Sequence, residues 1–216
     1  MYRIGIFDDE KQQCDLIEEK FELYSLKYNE EFEVFKSLNF SLEYREKDKE
    51  SVIEWILNER LDAIIMDFKT LGEYSFSGVE LINYINTILI GFPCILLTAW
   101  KEEVKDLTLV ADYLIYDKSE VLSESIGTPE MKSFIEKLVN QIDVFKNQLK
   151  INEDKYRSLF KEYTEGKITL ARKNELEALR KILVAYEIIE DIPLDSNIVK
   201  IEKEIENLIS KIESGL

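Results

Sequence analysis

Five residues stand at the ends of short apolar runs. Asp8 and Asp9 follow "YRIGIF", Asp67 follows "AIIM", Thr98 follows "CILL" and Lys118 follows "YLIYD". Singly, each has a plain reading: a strand-end cap, a common strand end, a solvated charge. Together, three carboxylates, one hydroxyl and one ammonium have a definite chemistry. Gathered carboxylates repel unless a cation stands among them. A small hard cation such as Mg²⁺ takes oxygen ligands and keeps several waters, so two or three carboxylates suit it. A Lys opposite them adds a fixed positive charge, and a Thr hydroxyl donates to an oxyanion. Such a set would bind a phosphoryl group, with Asp67 as the nucleophile of an aspartyl-phosphate. Catalysis would then rest on positioning and charge neutralisation.

The set meets only if the elements place it on one edge. "YRIGIF" (2–7) reads as a buried strand, and residues 10–28 repeat Leu16, Ile17, Phe21, Leu23, Tyr24 and Tyr28 at helical spacing. "FEVFK" (32–36) is strand-like. "SVIEWILNER" (51–60) reads as a helix, with Ser51 as N-cap and Glu54 three residues on as a capping box. "LDAIIMD" (61–67), "PCILLTA" (93–99) and "DYLIYDK" (112–118) read as strands. "GVELINYINTIL" (78–89) and "KEEVKDL" (101–107) read as helices between them. Strands apolar on both faces imply a parallel sheet covered by helices on both sides. In such sheets the ligand site lies at the carboxyl ends of the strands, where all five residues fall.

With those strand ends assigned, the sequence resembles the receiver domain of bacterial two-component response regulators. The matching stretches are "IGIFDDE" (4–10), "IIMDF" with "SGVELI" (64–68 and 77–82), "PCILLTA" (93–99) and "ADYLIYDKS" (111–119), covering about residues 1–125. The resemblance implies a flavodoxin-like, doubly wound α/β fold with a five-stranded parallel sheet. It implies that Asp67 accepts phosphate from a histidine kinase or phosphotransfer protein. Asp8 and Asp9 would bind Mg²⁺ with Asp67, and the backbone carbonyl of Lys69 would complete the protein ligands. Thr98 and Lys118 would contact the phosphoryl group and couple it to loop rearrangement. Lys69 and Trp100, each two residues beyond a site residue, would flank the path of attacking water and modulate phosphate lifetime.

The chain departs from that pattern in several places. No proline follows Asp67, and the loop to Gly78 is longer than the family's. Ser119 stands where a proline usually follows the lysine, and Ile115 where an aromatic switch residue usually sits, with Tyr113 and Tyr116 nearby. The segment 37–50, "SLNFSLEYREKDKE", exceeds an ordinary connection.

From Met131 the apolar pattern becomes heptad-like: Ile135, Leu138, Ile142, Phe145, Leu149, Asn152, Tyr156, Leu159 and Tyr163 follow at alternating spacings of four and three. That predicts one helix of about 35 residues, roughly 50 Å long. Asn152 falls on the stripe, where a polar residue can fix register and partner number. Gly166 should end this helix. A second is expected over 169–190 and a third from Ser196, with Ile198, Ile201, Ile205, Leu208 and Ile212 on one stripe. Residues 126–216 thus read as an all-α helical bundle, or as a coiled coil that makes a homodimer.

Composition narrows the function. The chain has 216 residues, a formal net charge of −16 and no histidine. A Ser-His-Asp triad, a Cys-His dyad and the usual zinc sites are excluded. The negative charge opposes nucleic acid and anionic membrane surfaces as partners. Residues 1–118 carry 13 basic and 25 acidic side chains and residues 119–216 carry 15 and 19, which places a domain boundary near 120–128. Cys14 and Cys94 lack metal spacing and read as buried thiols of a reducing compartment. No signal-peptide core or membrane-length run occurs, so a cytoplasmic location is expected. The leading expectation is a signalling protein whose receiver half takes phosphate and whose helices act on a downstream protein. One rival is a receiver-like scaffold that binds partners without switching. Another is an aspartate-nucleophile phosphatase, against which Lys69 stands where an acid/base aspartate would be needed. Trp100 is large enough to shield a bound phosphoryl group, so Trp100→Ala is expected to shorten the lifetime of phosphate on Asp67. An unchanged decay of radiolabelled acyl-phosphate would remove Trp100 from that role.

Overall fold

The computed structural model describes residues 1–28, 30–36, 49–69, 76–105, 114–123 and 128–194. Five strands, β1 (Tyr2–Phe7), β2 (Phe32–Lys36), β3 (Ala63–Met66), β4 (Cys94–Thr98) and β5 (Ile115–Asp117), form one sheet in the order β2-β1-β3-β4-β5. Every pairing is parallel. This is the doubly wound, flavodoxin-like order, whose strand ends form a crevice where the order reverses. The central strands are buried on both faces: Ile64, Ile65, Met66, Ile95, Leu96 and Leu97 are at most 1% exposed. That is why they read as unbroken apolar runs.

The strands are joined by helices α1 (Lys11–Tyr28), α2 (Lys49–Asn58), α3 (Gly78–Ile88) and α4 (Lys101–Lys105). A one-turn helix, α5 (Lys118–Val121), follows β5. On one face of the sheet, Ile17, Phe21 and Tyr24 of α1 pack with Ile4, Ile6, Ile65 and Leu97. On the other, a Cβ added to Gly5 would meet Leu61 at 2.7 Å and Trp55 at 2.9 Å, so glycine lets α2 lie close to β1.

Two local expectations change. The helix α2 begins at Lys49, so Ser51 lies inside its first turn rather than at the N-cap. The Ser51 hydroxyl is buried with no hydrogen-bond partner among the described residues, and no capping box forms there. The capping box occurs instead at Ser77 and Glu80 of α3, where each reaches the other's backbone N–H. Strand β5 is shorter than expected, three residues, and positions 112–113 lie outside the described residues.

The long helix is present as α6 (Pro129–Thr164), 36 residues. The chain divides into two compact units, Met1–Phe145 and Lys146–Leu216. The division falls within α6, beyond the change in charge near 120–128. Its cause is apolar: Met131, Phe134, Ile135, Leu138 and Ile142 are buried in the core that α1 and the sheet build. Tyr116 of β5 meets Phe134 edge-on at 4.9 Å, and Phe92 meets Phe145 at 5.8 Å. The first half of the heptad stripe therefore completes the α/β core.

In the second unit, Leu159 packs with Leu176 and Leu179 of helix α7 (Leu170–Ala185) and with Leu194. Gly166 ends α6 in the left-handed region, φ +71°, where glycine is favoured. Thr169 caps α7. The stripe thus finds intrachain partners at both ends, while Leu149 and Asn152 between them are half-buried. The third expected helix lies outside the described residues. Among them, no helix is long and apolar enough to cross a membrane.

The five α6 residues buried in the first core contribute on the order of 10 kcal/mol of apolar burial. A typical domain has only about 5–15 kcal/mol of net stability. A fragment of residues 1–145 should melt cooperatively, whereas one of residues 1–125 should lose native near-ultraviolet dichroism. Equal melting midpoints for the two fragments would contradict this packing.

Candidate functional site

The five strand-end residues arise where apolar strands run out. β1 ends at Phe7, and Asp8 behind it is 1% exposed. Asp8 Oδ1 accepts from the Glu10 N–H at 2.9 Å, a local turn that leads into α1. Beyond β3, the Asp67 N–H donates to the Phe7 carbonyl at 3.0 Å, and Asp67 Oδ1 accepts from the Phe68 N–H at 2.7 Å. Thr98 closes β4 beside Asp117 of β5, and Lys118 follows at once.

Lys118 draws the cluster together. Its Nζ lies 2.7 Å from Asp8 Oδ2 and 3.1 Å from Asp67 Oδ2. The Lys118 and Asp67 side chains are each 13% exposed and that of Asp8 is 2% exposed, so the two charge pairs are largely out of water. Burial alone would lower the Lys118 pKa. The hydrogen bond and charge of Asp8, then those of Asp67, outweigh it, and the net shift is upward from 10.5.

Thr98 is fully buried, and its Oγ1 accepts from the Trp100 N–H at 3.2 Å. That bond leaves the hydroxyl proton available to another acceptor. Asp9 is partly exposed. Lys69 turns to α4: its Nζ lies 2.9 Å from Glu103 Oε2 and 3.4 Å from the centre of the Trp100 ring. Trp100 itself is 46% exposed. Glu103 was not foreseen, because an exposed glutamate early in a helix carries no distinguishing pattern.

The closest backbone approach is at Gly78. A Cβ there would lie 2.1 Å from the Asp67 carbonyl oxygen, and the Gly78 N–H donates to the Phe68 carbonyl at 3.1 Å. Glycine at this position is therefore a condition for α3 to start so close to the Asp67 backbone. Ser119 has a local use as well. Its N–H and hydroxyl both donate to Asp117 Oδ1, at 2.7 and 2.6 Å, and start α5. A proline there would lack the N–H. Ile115, at the expected switch position, is buried. The Tyr116 hydroxyl is buried with no hydrogen-bond partner among the described residues, and burial raises its pKa. Both cysteines are free and buried, and burial pushes the Cys14 thiol up to about 12.

The donor chemistry fits a hard cation in part. Asp8 and Asp67 face one cation position, which the Lys118 ammonium takes. Two carboxylates supplemented by water suit Mg²⁺. Among the described residues, no three Asp, Glu, His or Cys side chains gather closely enough to enclose a metal.

No protein-family model and no curated protein sequence matches the chain. Matches among solved structures are distant. A yeast Spc42 trimeric coiled-coil fusion is 18% identical with a TM-score of 0.46, covering 87% of this chain and 97% of that one. The anti-anti-sigma factor PhyR from Bartonella quintana is 18% identical with a TM-score of 0.42, covering 68% of this chain and 50% of that one. The two-component response regulator RcsB in a DNA complex is 15% identical with a TM-score of 0.42, covering 88% and 94%.

The raised Lys118 pKa gives the ion pairs a pH signature. A cation whose folded pKa lies above its unfolded value stabilises fully below the unfolded value and loses that contribution as pH climbs through the folded one. Lys118→Met should cost about 3 kcal/mol near neutral pH, because it removes the counter-ion shared by two buried carboxylates. The gap to the wild type in urea midpoints should persist to 10.5 and close above it. A gap of equal size on both sides of that pH would exclude Lys118 as its source.

Proposed function

We propose that the chain is a receiver-type phosphorylation switch in which Asp67 accepts a phosphoryl group from a phosphohistidine of a histidine kinase or phosphotransfer protein. The observation that carries this reading is the Lys118 ammonium held between Asp8 and Asp67 at the carboxyl edge of a parallel sheet. An Asp67 carboxylate oxygen attacks phosphorus, the phosphorus–nitrogen bond of the donor breaks, and the imidazole leaves and takes up a proton. Mg²⁺, held by Asp8, Asp9, Asp67 and the Lys69 carbonyl, would neutralise charge on the phosphoryl oxygens. Lys118 exchanges its contact with Asp67 for one with a phosphoryl oxygen and keeps Asp8. The Thr98 hydroxyl donates to another oxygen, and both shifts bear on β4 and β5.

Output on this reading is protein–protein, through the helices of residues 126–216 and an unidentified downstream protein, with a homodimer as one form. The acidic charge weighs against nucleic acid. A receiver-like scaffold is the second reading. It is favoured by a site whose two buried carboxylates already have Lys118 as counter-ion. A phosphatase is disfavoured, because Lys69 is bound to Glu103 where an acid/base group would stand.

The test is exposure to Mg²⁺ with beryllium fluoride or acetyl phosphate, read by Trp100 fluorescence and intact mass. The expected result is a Mg²⁺-dependent change and one added phosphoryl group, both absent in Asp67→Ala. Silence in every readout would leave the scaffold standing, and steady turnover of phosphate esters would favour the phosphatase.

A further inference from the structure

We propose that the groove between the C-terminal half of α1 and the strand β2 docks a cationic, amphipathic peptide segment of a partner protein. The groove has a volume of about 680 Å³. Phe21, Phe32 and Val34 give it apolar lining, and Leu26 and Met1 stand at its margin, 84% and 67% exposed. Apolar surface that runs from a groove to exposed residues and is rimmed by polar ones is the kind that marks an interaction site.

Charge selects the occupant. Glu18, Glu22, Glu30 and Glu31 also line the groove. Lys36 answers Glu18, whereas the side chains of Glu22, Glu30 and Glu31 have no ion pair among the described residues. One carboxylate oxygen of Glu30 is buried with no hydrogen-bond partner among them. A buried acceptor without a donor is destabilising, and a Lys or Arg from outside would supply the donor. A second copy of the chain would bring a net charge of −16 to this acidic rim, and nucleic acid or an anionic membrane would be repelled in the same way. A Lys- or Arg-bearing segment with apolar anchors meets both the lining and the rim.

The groove is remote from Asp67. β1 and β2 begin beside it, and α1 returns antiparallel to them, so it lies at the opposite end of the sheet from the strand-end cluster. Occupancy is therefore separate from the phosphoryl chemistry and does not rest on it.

The experiment uses the full chain and a fluorescent amphipathic Leu/Lys helix peptide, with its Leu/Glu counterpart as comparison. Anisotropy should report binding of the Lys peptide alone, weakening as salt rises. Glu22→Lys combined with Leu26→Ser should weaken it about tenfold or more. Glu54→Lys, an exposed site on α2, should change it far less, and Asp67→Ala should leave it unchanged. Amide resonances of Phe21 and Phe32 should shift on titration. The proposal is overturned by no binding of the Lys peptide, by equal losses in the groove and Glu54 variants, or by unmoved groove resonances. A change in sedimentation caused by Leu26→Ser alone would also overturn it, by making the groove a contact between copies.

Discussion

Two buried carboxylates side by side need a shared proton or a positive charge between them, and Lys118 supplies the charge. The ammonium joins the ends of β1, β3 and β5, strands far apart in sequence. Desolvating an ion pair is costly, and the attraction repays that cost only with good geometry. Here the geometry comes from the sheet: parallel register brings Phe7 beside Met66 and Thr98 beside Asp117. The sheet positions the charges, and the charges hold the sheet's carboxyl edge closed. An isolated Asp8, Asp67 or Lys118 would be an ordinary surface group.

The face opposite α2 and α3 depends on a different supply of apolar surface. α1 alone does not cover it. Five residues of α6 fill the remainder, so the α/β unit continues to Phe145. One heptad pattern thereby serves two separate cores. Met131 to Ile142 belong to the first, and Leu159 belongs to the second with Leu176, Leu179 and Leu194.

Much of this was legible in the sequence, for a physical reason. Strands buried on both faces must be apolar throughout, so β1, β3 and β4 announced themselves, and so did the acids after β1 and β3 and the threonine that ends β4. The heptad stripe gave the length of α6 nearly to the residue, but not its partners, because a stripe is the same whether it faces a sheet or another helix. Ser51 misled because a hydroxyl three residues before a glutamate looks the same inside a helix as at its start. Glu103 was invisible because its role depends on Lys69, which also lies over the Trp100 ring, meeting it across a loop. The depth of α6 in the first core was hidden by the change in charge near 120–128, since charge reports the surface and the boundary follows the interior.

Gly78 has a consequence for how this chain can vary. The Asp67 carbonyl passes so close that no side chain fits there, and the Gly78 amide is tied to Phe68. The Asp67–Phe68 backbone and the start of α3 are thus held together by backbone alone. Between fixed ends, loop length is cheap: each doubling adds only about 0.6 kcal/mol of closure entropy. Insertions between Lys69 and Phe76 are therefore an inexpensive kind of evolutionary change beside Asp67. Lineages could lengthen, shorten or recompose that stretch while Asp67 and the start of α3 keep their places.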